Sequence, residues 1–159
     1  MTVYAMAWAK SGKPSSGALV LTYPEAAAQT FAKGDPVKLS AGGKVQLAVD
    51  TEGSIGIVER GASGTEDTDI RVTLHNYDDL YTASLSAAGA TATLAQADVG
   101  TRCSYIKSTV TGNTTKTVVD KSDAQTDVLV IVGLKDPVGT VDGRVYFRWQ
   151  PTQFIPEGA

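Results

Sequence analysis

RCSYIKSTVTGNTTKTVVDKSDAQTDVLVIVGLKDPVGTVDGRVYFRW, residues 102–149, decides the fold class. Within it, Arg102 to Lys107 and Arg144 to Trp149 read as two of the clearest strands in the chain, the first with alternating polar and apolar side chains. Lys116 to Asp120 and Asp127 to Leu134 are β-branched runs, and the second is apolar on both faces, which predicts a buried central strand. Thr111-Gly112-Asn113 and Val141-Asp142-Gly143 punctuate these runs as turns.

The same texture continues upstream. Leu80 to Leu85 (LYTASL) reads as a strand, followed by an Ala/Gly/Thr-rich stretch, 86–97, that is loop or a single helical turn. Before it come ALVLTY (18–23), PVKL (36–39), VQLAV (45–49), IGIVE (55–59) and DIRVTL (69–74), separated by Gly- and Asp-containing turns at 41–44, 50–54 and 61–64. One segment departs from the pattern. PEAAAQTFAKG (24–34) has Pro at a first helical position, Glu25 in the first turn, three alanines and a closing Gly34, and so predicts a short helix over 24–33. A faint echo links the halves, since each has a Gly-containing entry (Gly34, Gly100) and a strand ending Val-Asp (Val49-Asp50, Val119-Asp120), as a duplication would leave.

Composition supports a mainly β protein with short helical pieces. The chain is 42% hydrophobic but only 7% aromatic, so its core is built from many short β-branched segments and not from a few large side chains. Its length of 159 residues suits one compact folding unit. A net charge of −3 with no basic run argues against a sequence-independent grip on nucleic acid. No stretch approaches the roughly 20 apolar residues of a membrane helix. MTVYAMAWAKSG lacks the basic start and apolar core of a secretory signal, which points to synthesis and folding in the cytoplasm. A single cysteine permits no internal disulfide.

Residues 1–17 read as an extended N-terminal arm and linker, with Val3, Tyr4, Met6 and Trp8 ahead of a Gly/Lys/Pro/Ser stretch. Residues 18–80 and 81–150 form two β-rich halves packed together, and 151–159 is a tail carrying Phe154 and Ile155. Two apolar ends either dock on another chain or pack back on their own domain.

Nothing in the motifs supports catalysis, a cofactor or a metal. His75, the sole histidine, stands beside the polar turn Asn76-Tyr77-Asp78-Asp79, where the adjacent acids are solvated and do not orient a general base. Cys103 sits in an alternating strand as a small buried hydrophobe. One His and one Cys do not close a zinc site. Glu66-Asp67-Thr68-Asp69 lacks the spacing of a calcium loop and reads as a solvated turn. Gly12-Lys13-Pro14-Ser15 has neither the leading Gly nor the flanking strand and helix of a phosphate loop, and Gly53-Ser54-Ile55-Gly56 fails the dinucleotide pattern. Asn113-Thr114-Thr115 matches a glycosylation acceptor but reads as a plain turn.

The stretch from Gln29 through Gly34-Asp35-Pro36-Val37-Lys38-Leu39, with Gly43-Lys44-Val45, Ile55-Gly56-Ile57-Val58 and Ala62-Ser63-Gly64-Thr65, resembles the capsid decoration (cement) proteins of tailed bacteriophages. The likeness covers about residues 18–74. It implies a β-barrel or β-tulip-like body, a homotrimer on the outer surface of the expanded head, and the major capsid protein as partner. It implies further an arm laid on the coat protein, for which Val3, Tyr4, Met6 and Trp8 are the candidate anchors; Trp149, Phe154 and Ile155 are the candidate subunit or capsid contacts. The second β-rich half, 81–150, departs from the minimal family form. The alternatives are another virion β-protein, such as a tail-tube or head-fibre subunit, and a small hydrolase or a carbohydrate-binding module, the latter using Trp8 or Trp149 to stack on a sugar.

Overall fold

The alternating segments do become strands, and the computed structural model assembles them into two sheets. It describes residues 2–10, 17–49, 53–76, 78–123 and 128–150. Along the chain the strands are β1 (Ala7–Lys10), β2 (Val20–Pro24), β3 (Pro36–Leu39), β4 (Val45–Leu47), β5 (Gly56–Val58), β6 (Asp69–Leu74), β7 (Leu80–Ala87), β8 (Ala90–Thr91), β9 (Arg102–Lys107), β10 (Thr117–Asp120), β11 (Leu129–Leu134) and β12 (Arg144–Trp149). Among the described residues there is one 3₁₀ turn, Gln96–Asp98, at the end of the Ala/Gly/Thr-rich stretch.

The first sheet runs β2-β6-β5-β3-β4 with every neighbour antiparallel. Phe31, Val37, Val45, Val58, Ile70 and Val72 fill its core. Strand alternation turns Ile57 the other way, out of this cluster and into the core of the second sheet. Gly56 is required here, because a Cβ on it would stand 2.3 Å from the Thr73 carbonyl oxygen of β6.

The second sheet closes on itself. β7 pairs with β10, which continues through β9 and β11 to β12, and β12 returns to pair with β7, giving a five-stranded barrel. The eight residues of β7 make this possible by dividing their partners. Tyr81 to Ser84 pair antiparallel with β12, while Leu85 and Ser86 pair in parallel with β10. Closure removes the edges of these strands. Tyr81, Leu85, Tyr105, Leu129, Phe147 and Trp149 are the bulk of the interior. β11 is central, as expected, but it is not buried on both faces. Leu129 and Ile131 point inward whereas Val132 is exposed, because one face of a barrel strand looks outward.

Two expectations need correction. Residues 24–33 hold no helix: Pro24 ends β2, Glu25 bridges to Val45, and Ala28 adopts a left-handed φ of 56°. The reason is Glu25. Its buried carboxylate accepts hydrogen bonds from Ser63 Oγ (2.7 Å), Ser63 N–H (3.0 Å) and Gly64 N–H (2.8 Å), and the next residue's N–H bonds the Val45 carbonyl. A helix would forfeit these contacts for alanine propensity alone, which is a few tenths of a kcal/mol per residue. Second, residues 2–10 are extended but not a detached arm. They lie on β7, with Ala7 opposite Thr82 and Trp8 opposite Tyr81. The linker residues 11–16 and the tail 151–159 fall outside the described residues.

Candidate interaction surface

The residues singled out for chemistry prove to be interior groups. His75 joins β6 to β7 and is buried between the two bodies, stacked on Trp149 with ring centroids 3.8 Å apart and edge-on to Tyr81. Its Nε2 lies 2.9 Å from Ser54 Oγ. That hydroxyl also reaches the Val37 and Gly56 carbonyls, each at 3.0 Å. Burial drives the imidazole well below its usual pKa, toward the neutral form. Cys103 is fully buried in the barrel, and burial, with lesser effects from the Asp120, Asp123 and Asp98 charges, pushes its thiol up to about 12. A thiol so protonated is a packing group and a poor nucleophile.

The acidic segment 66–69 is tied to its own sheet. Lys44 Nζ pairs with Glu66 and with Asp67 (2.9 Å), and among the described residues no three His, Cys, Asp or Glu side chains gather as metal ligands would. Asn113 sits in the turn between β9 and β10.

The N-terminal segment is held along its length by groups far away in sequence. Tyr4 N–H donates to Ser84 Oγ (2.9 Å), its carbonyl accepts from Ser84 N–H (3.0 Å), Lys116 Nζ donates to the Val3 carbonyl (2.8 Å), and Met6 N–H donates to the Thr117 carbonyl (3.2 Å). Gly34 makes the close approach possible. Its φ is +87°, and a Cβ there would lie 2.8 Å from the Met6 carbonyl oxygen. Val3 and Met6 are therefore core residues, with Met6 inside the barrel cluster. Trp8 is half-buried, its indole N–H donating to Asp79 Oδ2 at 2.9 Å. Tyr4 alone of the four is largely exposed, at 42%, with the Arg144 guanidinium 4.3 Å from its ring centroid. Arg144 is fixed in turn by Asp136 through bonds of 2.8 and 2.9 Å.

Trp149 is not a surface contact. It is 1% exposed and touches His75, Tyr81, Tyr105 and Phe147, so it anchors the barrel floor against the connection between the bodies. Phe154 and Ile155 lie outside the described residues. The exposed apolar side chains are others, among them Leu19 (62%) and Leu21 (45%) on β2 and its approach, Val49 after β4, and Val138 and Val141 in the loop before β12. Their exposure has no signature in the sequence, because ALVLTY alternates no differently from a covered strand. No protein-family model matches the chain, and no curated protein matches it.

Proposed function

We propose that this chain is a structural virion protein, a decoration or cement protein that binds the outer surface of an assembled tailed-phage capsid through the major capsid protein and stabilises it. One observation carries the reading. The segments that resemble the decoration family, Gly34-Asp35-Pro36-Val37, Gly43-Lys44-Val45 and Ile55-Gly56-Ile57-Val58, lead from turns into β3, β4 and β5, hydrogen-bonded neighbours in one sheet. Gly34 and Gly56 each occupy a place where a side chain would collide with backbone. These segments therefore lie side by side in one sheet of this chain, which supports reading them together.

The rest of the molecule suits that role. His75 and Cys103 serve packing, two β bodies share a buried seam, and the N-terminal segment offers Tyr4 on a rigid mount. The coat-protein contact assigned to this segment accordingly runs through Tyr4 and its exposed neighbours, not through Val3 or Met6. A sugar-stacking role loses its support, since Trp149 is buried and Trp8 is half-buried and bonded to Asp79.

The test is sedimentation of the purified protein with heads of its own phage assembled without it. Binding should be saturable and should raise the melting temperature of the shell, as any ligand selective for the assembled state does. Protein that stays in the supernatant at saturating head concentration overturns the proposal.

A further inference from the structure

The outer strands of the five-stranded sheet meet where Glu25, the residue after β2, bridges Val45 of β4, and beyond that bridge their edges are treated differently. At β4 the edge is covered by the chain's own residues 25–29: Glu25 bridges Val45, Ala26 N–H donates to the Val45 carbonyl, and Gln29 Oε1 accepts from Leu47 N–H at 2.9 Å. At β2 the outer edge of Val20 and Thr22 has no strand beside it among the described residues.

The direction of the open groups follows from the pairing. The Leu19 carbonyl accepts from Leu74 N–H, and Glu25 N–H donates to the Thr68 carbonyl, both at 2.8 Å. Odd-numbered residues therefore turn their main-chain groups toward β6, and alternation leaves those of Val20 and Thr22 pointing away. Pro24, which has no N–H, marks where the usable edge ends. Natural sheets commonly defend such an edge with charge, a bulge or a cover. Here Ala18 to Pro24 contains no charged residue, and β2 pairs with β6 without a register shift.

We propose that β2 pairs antiparallel with β2 of a second copy across a two-fold axis at Leu21, joining two five-stranded sheets into one. The segment is complementary to itself in this register. Val20 faces Thr22 of the second copy and exchanges main-chain hydrogen bonds with it, Leu19 faces Tyr23, and Leu21 faces Leu21. Every pair on the core side is then apolar, no charge meets a like charge, and the exposed Leu19 and Leu21 are covered. The inference rests on the edge alone and not on the decoration reading. It departs from the threefold arrangement which that resemblance implies.

Sedimentation equilibrium of the full chain decides between them. A strand pair this short lies at the small end of interfaces, so the expected result is a concentration-dependent dimer. Leu21→Lys, which sets two ammonium groups face to face on the axis, should leave only monomer while its circular dichroism stays that of the native fold. With oxidised glutathione added as the oxidant, Leu21→Cys should form a covalent dimer, since opposed residues at this position have Cα atoms about 4.5 Å apart and a disulfide spans roughly 4.4–6.8 Å. The native Cys103 is buried and does not compete. Monomer at every concentration, a trimer, an assembly that Leu21→Lys leaves intact, or failure of Leu21→Cys to cross-link overturns the proposal. Should Leu21→Lys fail to fold, the cross-link alone decides.

Discussion

Thr117 Oγ1 donates a 2.7 Å hydrogen bond to Asp35 Oδ1 across the seam between the five-stranded sheet and the barrel. The other carboxylate oxygen accepts from the Lys107 ammonium of β9 and from Ala32 N–H at 2.8 Å. Asp35 is fully buried, so its charge is tolerated only because these donors replace water.

Asp35→Ala should therefore cost stability even though it removes no apolar contact. Lys107 is partly exposed and can return to water, which keeps the expected loss at about 1–3 kcal/mol, the range for stranding a buried donor. Asp35→Asn should cost less because it retains an acceptor. Urea denaturation measures both, and a wild-type midpoint for Asp35→Ala would mean that the seam is not fastened here.

His75 predicts a pH dependence with a definite sign. Burial holds its folded pKa well below the ordinary 6.5, whereas the unfolded chain titrates near that value. Below about pH 6.5 the unfolded state binds a proton that the folded state refuses, so stability is complete above that pH and falls as the pH drops, by up to about 1.4 kcal/mol per unit. His75→Phe, which keeps a ring against Trp149, should flatten the slope between about pH 6.5 and 5. Equal slopes in the two proteins would place the titration elsewhere.

Met6 tests whether the N-terminal segment belongs to the core. Met6→Ala should lower stability by about 2–5 kcal/mol, as for other buried large-to-small changes. Tyr4→Ala, at an exposed site, should leave the melting temperature close to wild type while weakening attachment to capsids. A Met6→Ala protein that melts normally would return residues 2–10 to the status of a free arm.

Gly34→Ala should loosen the same segment from the other side. The new methyl meets the Met6 carbonyl at a left-handed φ that itself costs about 1–2 kcal/mol. Amide exchange should accelerate at Tyr4 and Met6 and stay slow at Ile70 and Val72. Uniform acceleration across the chain would indicate general destabilisation instead.

Cys103 should resist alkylation near pH 8 in the folded protein, because a thiol pushed up to about 12 inside the barrel presents neither charge nor access. Labelling at the rate seen in denaturant would contradict its placement.

What the sequence determined by itself is where the strands lie. RCSYIK and RVYFRW are strands over the same residues that the sequence marks, and the Ala41-Gly42-Gly43-Lys44 turn joins β3 to β4. That information is local, because backbone geometry sets a two-residue period and turn residues act within a few positions. The tertiary structure alone decided closure of the barrel, which depends on β7 serving β12 and β10 at once. It decided that Pro24 to Lys33 is not helical, since the donors that hold Glu25 come from Ser63 and Gly64. It decided, too, that Trp149 and Met6 are inside while Leu19 and Leu21 are outside. An apolar side chain carries the same local pattern in either place. Its burial depends on partners such as Thr117, whose carbonyl holds Met6, or Lys116, 113 residues from Val3, and only the assembled chain brings those together.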